Sequence, residues 1–178
     1  KVNSSAASVE VENEVSTQTY TDGPFPFYAM GCEPPVKNGA IHFEPFGNWA
    51  QFFISPGSNN SLKEGNYVLY LDLTASTNAS DVQLSIQNGW GGSAQCVKVP
   101  VPVKEGRHTV KLSIPGIEGG NYDVILQPQN ADVVLDVHSL TICLVKKMNS
   151  IPLTDEEKKD VLTTAMGTWI DGMMAACD

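Results

Sequence analysis

Residues 66–88, NYVLYLDLTASTNASDVQLSIQN, alternate apolar and polar side chains with a period of two over two successive runs. Tyr67, Leu69, Leu71 and Leu73 fall on one side of the first run, and Val68, Tyr70, Asp72 and Thr74 on the other. In the second run Val82, Leu84 and Ile86 oppose Asp81, Gln83, Ser85 and Gln87. This excludes an amphipathic helix, whose apolar residues recur about every 3.6 positions. It requires sheet with one oily face, and so a second apolar layer to cover that face. The polar sides are expected to join into one surface of amide, hydroxyl and phenol groups. At its edge lies Asn88-Gly89-Trp90-Gly91-Gly92, a tryptophan whose glycine neighbours leave room for a large ligand.

The same alternation continues along most of the chain. An entering strand is expected over 9–21, with Val9, Val11 and Val15 against Glu10, Glu12 and Glu14. The segment 22–35 is rich in Pro and aromatics and reads as an ordered loop or edge, because Pro donates nothing to a ladder. Phe25, Phe27 and Tyr28 in it are expected to cap the core, with a part in a sugar-binding platform as the alternative. Lys37-Asn38-Gly39 signals a turn. Strands at 40–46 and 49–55 are expected to form a hairpin through Gly47-Asn48. Strand 95–103 turns four valines inward, and Pro100 and Pro102 mark it as an edge. Strands at 107–114 and 121–127 follow. The last, 132–145, changes phase from Val133, Leu135 and Val137 to Leu140, Ile142 and Leu144, which predicts a bulge near His138-Ser139. Short strands with turn residues between them and no interleaved helix give an all-β antiparallel β-sandwich, of jelly-roll type.

The end of the chain has another character. Thr154 and Glu157 form a capping box, opening a helix that runs to about Ala176. Val161, Leu162, Ala165, Met166, Trp169, Ile170, Met173 and Met174 recur along it at helical spacing. Such a face needs a partner surface. The expected division is a sandwich module over 1–148 and, over 149–178, a helix belonging to a truncated neighbouring domain.

Charge narrows the function. Eleven Lys and Arg stand against 20 Asp and Glu, a formal net charge of −9. Nucleic acid and anionic membrane surfaces call for basic patches, so neither is an expected partner. No apolar run is long enough to span a bilayer. No leader opens the chain, so a mature protein or an excised fragment is expected. Cys32, Cys96, Cys143 and Cys177 are too widely spaced for a zinc cluster, and Cys96 and Cys143 read as small buried hydrophobes.

Sugar recognition in water combines contact between the C–H side of a ring and an aromatic plane with hydrogen bonds to hydroxyls, which both donate and accept. An amide side chain carries both functions. Tyr70, Gln83, Gln87, Asn88 and Gln127, with Gln51 beside them, are the candidate hydroxyl partners; Trp90 and Trp49 are the stacking candidates. Catalysis has little support: there is no GxSxG, and His42, His108 and His138 are spread over separate strands. Asp132, Asp136, Glu10 and Glu12 could supply oxygen ligands to a structural calcium ion near the strand ends, although no Asp-rich binding loop is present. A structural or protein-interaction sandwich of a cell-surface protein is the alternative reading, with Trp90 in an interface. A small lyase or hydrolase on the same scaffold is a third.

Taken in order, NGAIHFE, LKEGNYVLYLDLTAS, VKEGRHTVKLSI and VLDVHSLTI resemble carbohydrate-binding modules of families 4 and 22 across residues 9–147. The tail LTDEEKKDVLTTAMGTWIDGMMAACD resembles a helix of a family 10 glycoside hydrolase barrel. Together they resemble a xylan-binding module inserted in a Bacteroidetes-type xylanase. The resemblance implies non-catalytic binding of xylan or xylo-oligosaccharide, with the rest of the parent xylanase as partner, outside the cytoplasm in an extracellular or cell-surface protein. It implies stacking by aromatics such as Trp49 and Trp90 in a cleft on a concave face, and a calcium ion near the chain ends with Asp136 as a ligand. The fragment itself is expected to have no hydrolase activity.

Overall fold

A computed structural model describes residues 8–25, 34–44, 51–89, 95–128, 132–149 and 154–175. Trp49, Trp90, Phe27, Tyr28, Cys32, Cys177 and the Gly47-Asn48 pair lie outside the described residues. Residues 11–146 form one compact unit; residues 1–10 and 147–178 form the other.

In chain order the strands are β1 (Ser8–Thr19), β2 (Gly23–Pro24), β3 (Pro35–Lys37), β4 (Ala40–Phe43), β5 (Phe52–Ser55), β6 (Ser61–Leu62), β7 (Gly65–Ala75), β8 (Ala79–Asn88), β9 (Gln95–Val103), β10 (Gly106–Ile117), β11 (Gly120–Asn121), β12 (Asp123–Pro128) and β13 (Leu135–Asn149). They build an antiparallel β-sandwich. One sheet runs β10-β7-β13-β4-β3-β2, with β1 also paired to β13; the other runs β5-β12-β8-β9. The two-stranded β11-β6 pair is separate.

The apolar sides of the two sheets meet in a single core. Leu69, Leu71, Leu73, Leu112, Leu140 and Ile142 come from the larger sheet. Phe52, Ile54, Leu84, Ile86, Val124 and Leu126 come from the smaller. These positions are buried because the period-two pattern puts them on the inner side of every strand. Phe25 joins the core, as its capping role requires. Truncating a side chain such as Leu71, which is wholly buried, costs about 2–5 kcal/mol.

Several expected features are present. β9 is an edge strand. Asn38 and Gly39 take φ of 54° and 73°, the left-handed pair that a tight β3–β4 turn requires. The register of β13 against β7 slips between Val137 and Ser139, so the bulge falls at His138.

Two expectations are corrected. β4 and β5 do not form a hairpin: β4 pairs with β3 and β13, whereas β5 pairs with β12. Their aromatics meet across the sandwich instead, with the Phe43 and Phe52 ring centroids 3.9 Å apart. β4 lies in the larger sheet and β5 in the four-stranded one, so the two rings meet across the core. Cys96 is exposed rather than buried, since it lies on the outer side of β9; Cys143 is buried. Both are free thiols.

The second unit carries α1 (Asp155–Ala175). Its capping box is formed on both sides. The Glu157 amide donates to Thr154 Oγ1 at 3.2 Å, and the Thr154 amide donates to Glu157 Oε2 at 2.7 Å. Leu162, Met166 and Met173 are exposed on this helix. No helix is long and apolar enough to cross a membrane among the described residues.

Candidate functional site

Strand register turns the outer face of the four-stranded sheet into a grid. Residues directly opposed across antiparallel strands point to the same side, with Cβ atoms about 5 Å apart. The middle row is Phe53, Ile125, Ser85 and Lys98. Gln127, Gln83 and Pro100 form one flanking row, and Asp123, Gln87 and Cys96 the other. Four strands at about 4.8 Å spacing make the grid roughly 14 Å across.

Its floor is apolar and its rim is amide. Ile125 is only 3% exposed and Ser85 6%, although both point away from the core. Phe53 is half-buried beside Ile125. Gln83, Gln87 and Gln127 are half-buried around them. The Gln87 Nε2 group donates to the Gly89 carbonyl at 2.6 Å, leaving its own carbonyl oxygen as an acceptor. Asp123 accepts the Gly57 amide at 2.6 Å and is committed to holding the 57–59 turn. Gln51 is half-buried immediately before β5.

The single polar surface expected from residues 66–88 is corrected. β7 and β8 belong to different sheets, so residues 76–78 carry the chain across the sandwich instead of closing a hairpin. Tyr70 and Asp72 therefore lie on the opposite outer face from Gln83, Ser85 and Gln87. There Tyr70 is spent on a hydrogen bond and Asp72 on an ion pair. Tyr70 donates to Glu12, and Lys111 Nζ lies 2.7 Å from Glu12 Oε1. Arg107 pairs with Asp72 at 3.0 Å. Hydrogen bonds from Lys111 and then Tyr70 hold the Glu12 carboxyl below its ordinary range. Tyr70 is not part of the amide grid.

Asn88 also leaves the grid. It shares the inner side of β8 with Val82, Leu84 and Ile86, at the strand's end. Its side chain bonds the hydroxyl of Tyr122, which is wholly buried, and packs against Gly120. Tyr122 also donates to the Glu118 carbonyl at 2.7 Å and contacts Gln95 Oε1. Burial pushes the Tyr122 phenol above its ordinary range. This cluster locks one end of the sandwich, and Asn88 is a structural member of it.

Asp136 lies on the outer face of the larger sheet, opposed to His42 on one side and Thr74 on the other. His42 Nδ1 is 2.7 Å from Asp136 Oδ1, and its Nε2 is 3.3 Å from Glu44 Oε1. The Asp136 hydrogen bond raises the His42 pKa, against a smaller opposing effect of burial. His138 Nε2 is 2.7 Å from Thr74 Oγ1. His42, Asp136 and His138 line an open depression of about 350 Å³ with Lys37, Asn38 and Ala40. Calcium takes about six to eight oxygen ligands. Here an imidazole occupies the Asp136 carboxylate, and Glu12 is taken by Lys111 and Tyr70. Among the described residues no group of three His, Cys, Asp or Glu is placed to hold a metal. The residues at Asp136 do not fit a calcium ion.

Sequence reasoning named the three grid glutamines but overlooked Ile125, Phe53 and Lys98. The signals were present. Ile125 interrupts the polar side of β12 between Asp123 and Gln127, and Phe53 shares its side with Gln51. Their value depended on knowing that β5 and β12 are neighbours, which is a non-local fact.

No family model and no curated protein sequence matches this chain. Solved structures do. The CBM22-1–GH10 modules of the Clostridium thermocellum N-terminal endo-1,4-beta-D-xylanase 10B, complexed with xylohexaose, superpose with a TM-score of 0.50 at 14% identity. That match covers 82% of this chain and 30% of that one, so it spans less than a third of the two-module structure. The CBM1 module of BiXyn10A in its apo form gives a TM-score of 0.46 at 9% identity, covering 75% of this chain and 95% of that one. The N-terminal cellulose-binding domain of Cellulomonas fimi beta-1,4-glucanase C gives 0.41 at 16%, covering 71% and 88%. At these identities the likeness is one of fold: the chain has the β-sandwich found in carbohydrate-binding modules.

Proposed function

We propose that this chain binds xylan or xylo-oligosaccharide chains without cleaving them, along the outer face of the four-stranded sheet. The observation that carries the reading is the amide-rimmed apolar floor: Gln83 and Gln127 directly opposed, Gln87 one row beyond Ile125, and Phe53 beside it. The half-buried Phe53 suits the C–H side of a sugar ring, and each amide offers a donor and an acceptor to hydroxyls. Trp49 and Trp90 are assigned the stacking role in this reading. The xylohexaose complex of the fold neighbour with a TM-score of 0.50 and the sequence resemblance to xylan-binding modules support the choice of polysaccharide. In this proposal residues 149–178 belong to an attached endo-xylanase, which the module holds on its substrate outside the cytoplasm. Affinity gel electrophoresis tests it. Migration retarded by soluble xylan supports the reading. Unretarded migration in xylan, cellulose and β-glucan gels would sink it in favour of a structural or interaction domain. Release of reducing sugar by the purified chain would mark it as an enzyme.

A further inference from the structure

We infer that Lys98 makes this face selective for glycan chains that carry a carboxylate, such as a uronic acid substituent; the inference rests on the glycan-binding reading above. Lys98 stands on the edge strand β9, directly opposite Ser85 at the end of the middle row. It is exposed, while the core positions Val97 and Val99 on either side point inward. Among the described residues it is the only cation on the grid, and it has no ion pair.

The opposite outer face shows the contrast. There Arg107 is neutralised by Asp72 at 3.0 Å and Lys111 by Glu12 at 2.7 Å. On the grid the acids are too far away to do the same. Asp123 is two strands and one row from Lys98, about 12 Å by strand geometry, and Asp81 is about 13 Å along β8 from Ser85. Both distances exceed the screening length of about 8 Å at physiological salt. Asp123 is in addition bound to the Gly57 amide.

The neighbours of Lys98 suit a carboxylate. The Ser85 hydroxyl faces it, and the Gln83 amide lies diagonally beside it, within about 7–8 Å between Cβ atoms. Neither side chain is spent on another described residue. An ammonium, a hydroxyl and an amide N–H together offer charge-assisted hydrogen bonds to both oxygens of a carboxylate. The position also fits the geometry of a branch. A main chain lying over the Gln83–Gln127 row and the Ile125 floor would direct a substituent to the sheet margin, where β9 carries Lys98. The formal net charge of −9 disfavours polyanions in general, so the attraction is local to this corner.

The test is a calorimetric titration of the whole chain with three ligands sharing one xylo-oligosaccharide backbone. One is unsubstituted, one carries glucuronic acid, and one is the same glucuronic derivative with its carboxyl reduced to an alcohol. The acidic ligand should bind about threefold to tenfold more tightly than its reduced form at low salt, a preference that shrinks as salt rises. Lys98→Met should bring that ratio to one, and Lys98→Arg should keep it above one. Equal affinity for the acidic and reduced ligands in the native protein, or a preference that survives in Lys98→Met, would overturn the inference while leaving xylan binding intact. Failure to bind any of the three would overturn the glycan-binding reading itself.

Discussion

Gln83 on β8 and Gln127 on β12 are directly opposed on the outer face of the four-stranded sheet, so two amide side chains stand side by side above an apolar floor. Forty-three residues of intervening strand and loop separate a pair that a single hydroxyl-bearing ring could bridge. Replacing either by Ala should weaken xylohexaose binding by about 0.5–1.5 kcal/mol, the net value of one hydrogen bond. The double variant should lose less than the sum if both amides serve one hydroxyl. Isothermal titration calorimetry measures this, with melting temperature as the control for folding.

Tyr70 provides the complementary test. Its hydroxyl is bonded to Glu12 on the other outer face. Tyr70→Phe should leave xylohexaose affinity unchanged, and a loss of affinity would move the ligand to the larger sheet.

Phe53 is the aromatic of the grid among the described residues. Phe53→Ala should reduce affinity by about 1–3 kcal/mol if it stacks a sugar, by analogy with base–aromatic stacking. Phe53→Tyr should retain most of it. Because Phe53 is half-buried, both variants need a thermal melt alongside the titration.

Gly120 has a φ of 155°, and a Cβ there would collide with the Asn88 amide that bonds Tyr122. Gly120→Ala should cost about 1–3 kcal/mol through backbone strain and the displaced side chain. For a chain of this size that lowers the melting temperature by about 2–4 °C per kcal/mol, readable by differential scanning calorimetry.

His42 predicts a pH dependence. Asp136 favours the protonated ring, so the folded-state pKa lies above the unfolded one. The stabilisation is fully present below the unfolded pKa, near 6.5, and fades as pH rises through the folded value. The His42 side chain is 27% exposed and Asp136 36%, so solvent screening limits the pair to about 1 kcal/mol or less. Asp136→Asn should therefore lower the melting temperature more at pH 5.5 than at pH 9. An equal effect at both would contradict the assignment.

Elements that depend on neighbouring residues were readable from the sequence. The valine alternation of β9 placed that strand at 95–103, and its prolines placed it at an edge. The phase change after Val137 revealed the bulge at His138. The Thr154–Glu157 spacing set the start of α1. The candidate site was legible only in part, because its glutamines carry no mark that distinguishes a grid from a wet surface.

What the sequence determined by itself was which side of each strand is oil, since the pleat fixes alternation within a strand regardless of its neighbours. What the tertiary structure decided was which strands stand beside each other. β7 and β8 have the same period-two pattern, and Ser76-Thr77-Asn78 between them would suit a hairpin as well as a crossing. The choice followed from pairing: β7 has β10 and β13 on its two sides and β8 has β12 and β9, so neither strand has an edge left for the other. That pairing separated Tyr70 from Gln83, brought Gln127 beside Gln83 and set Lys98 at the margin of the same face, because strand pairing is fixed by the whole core.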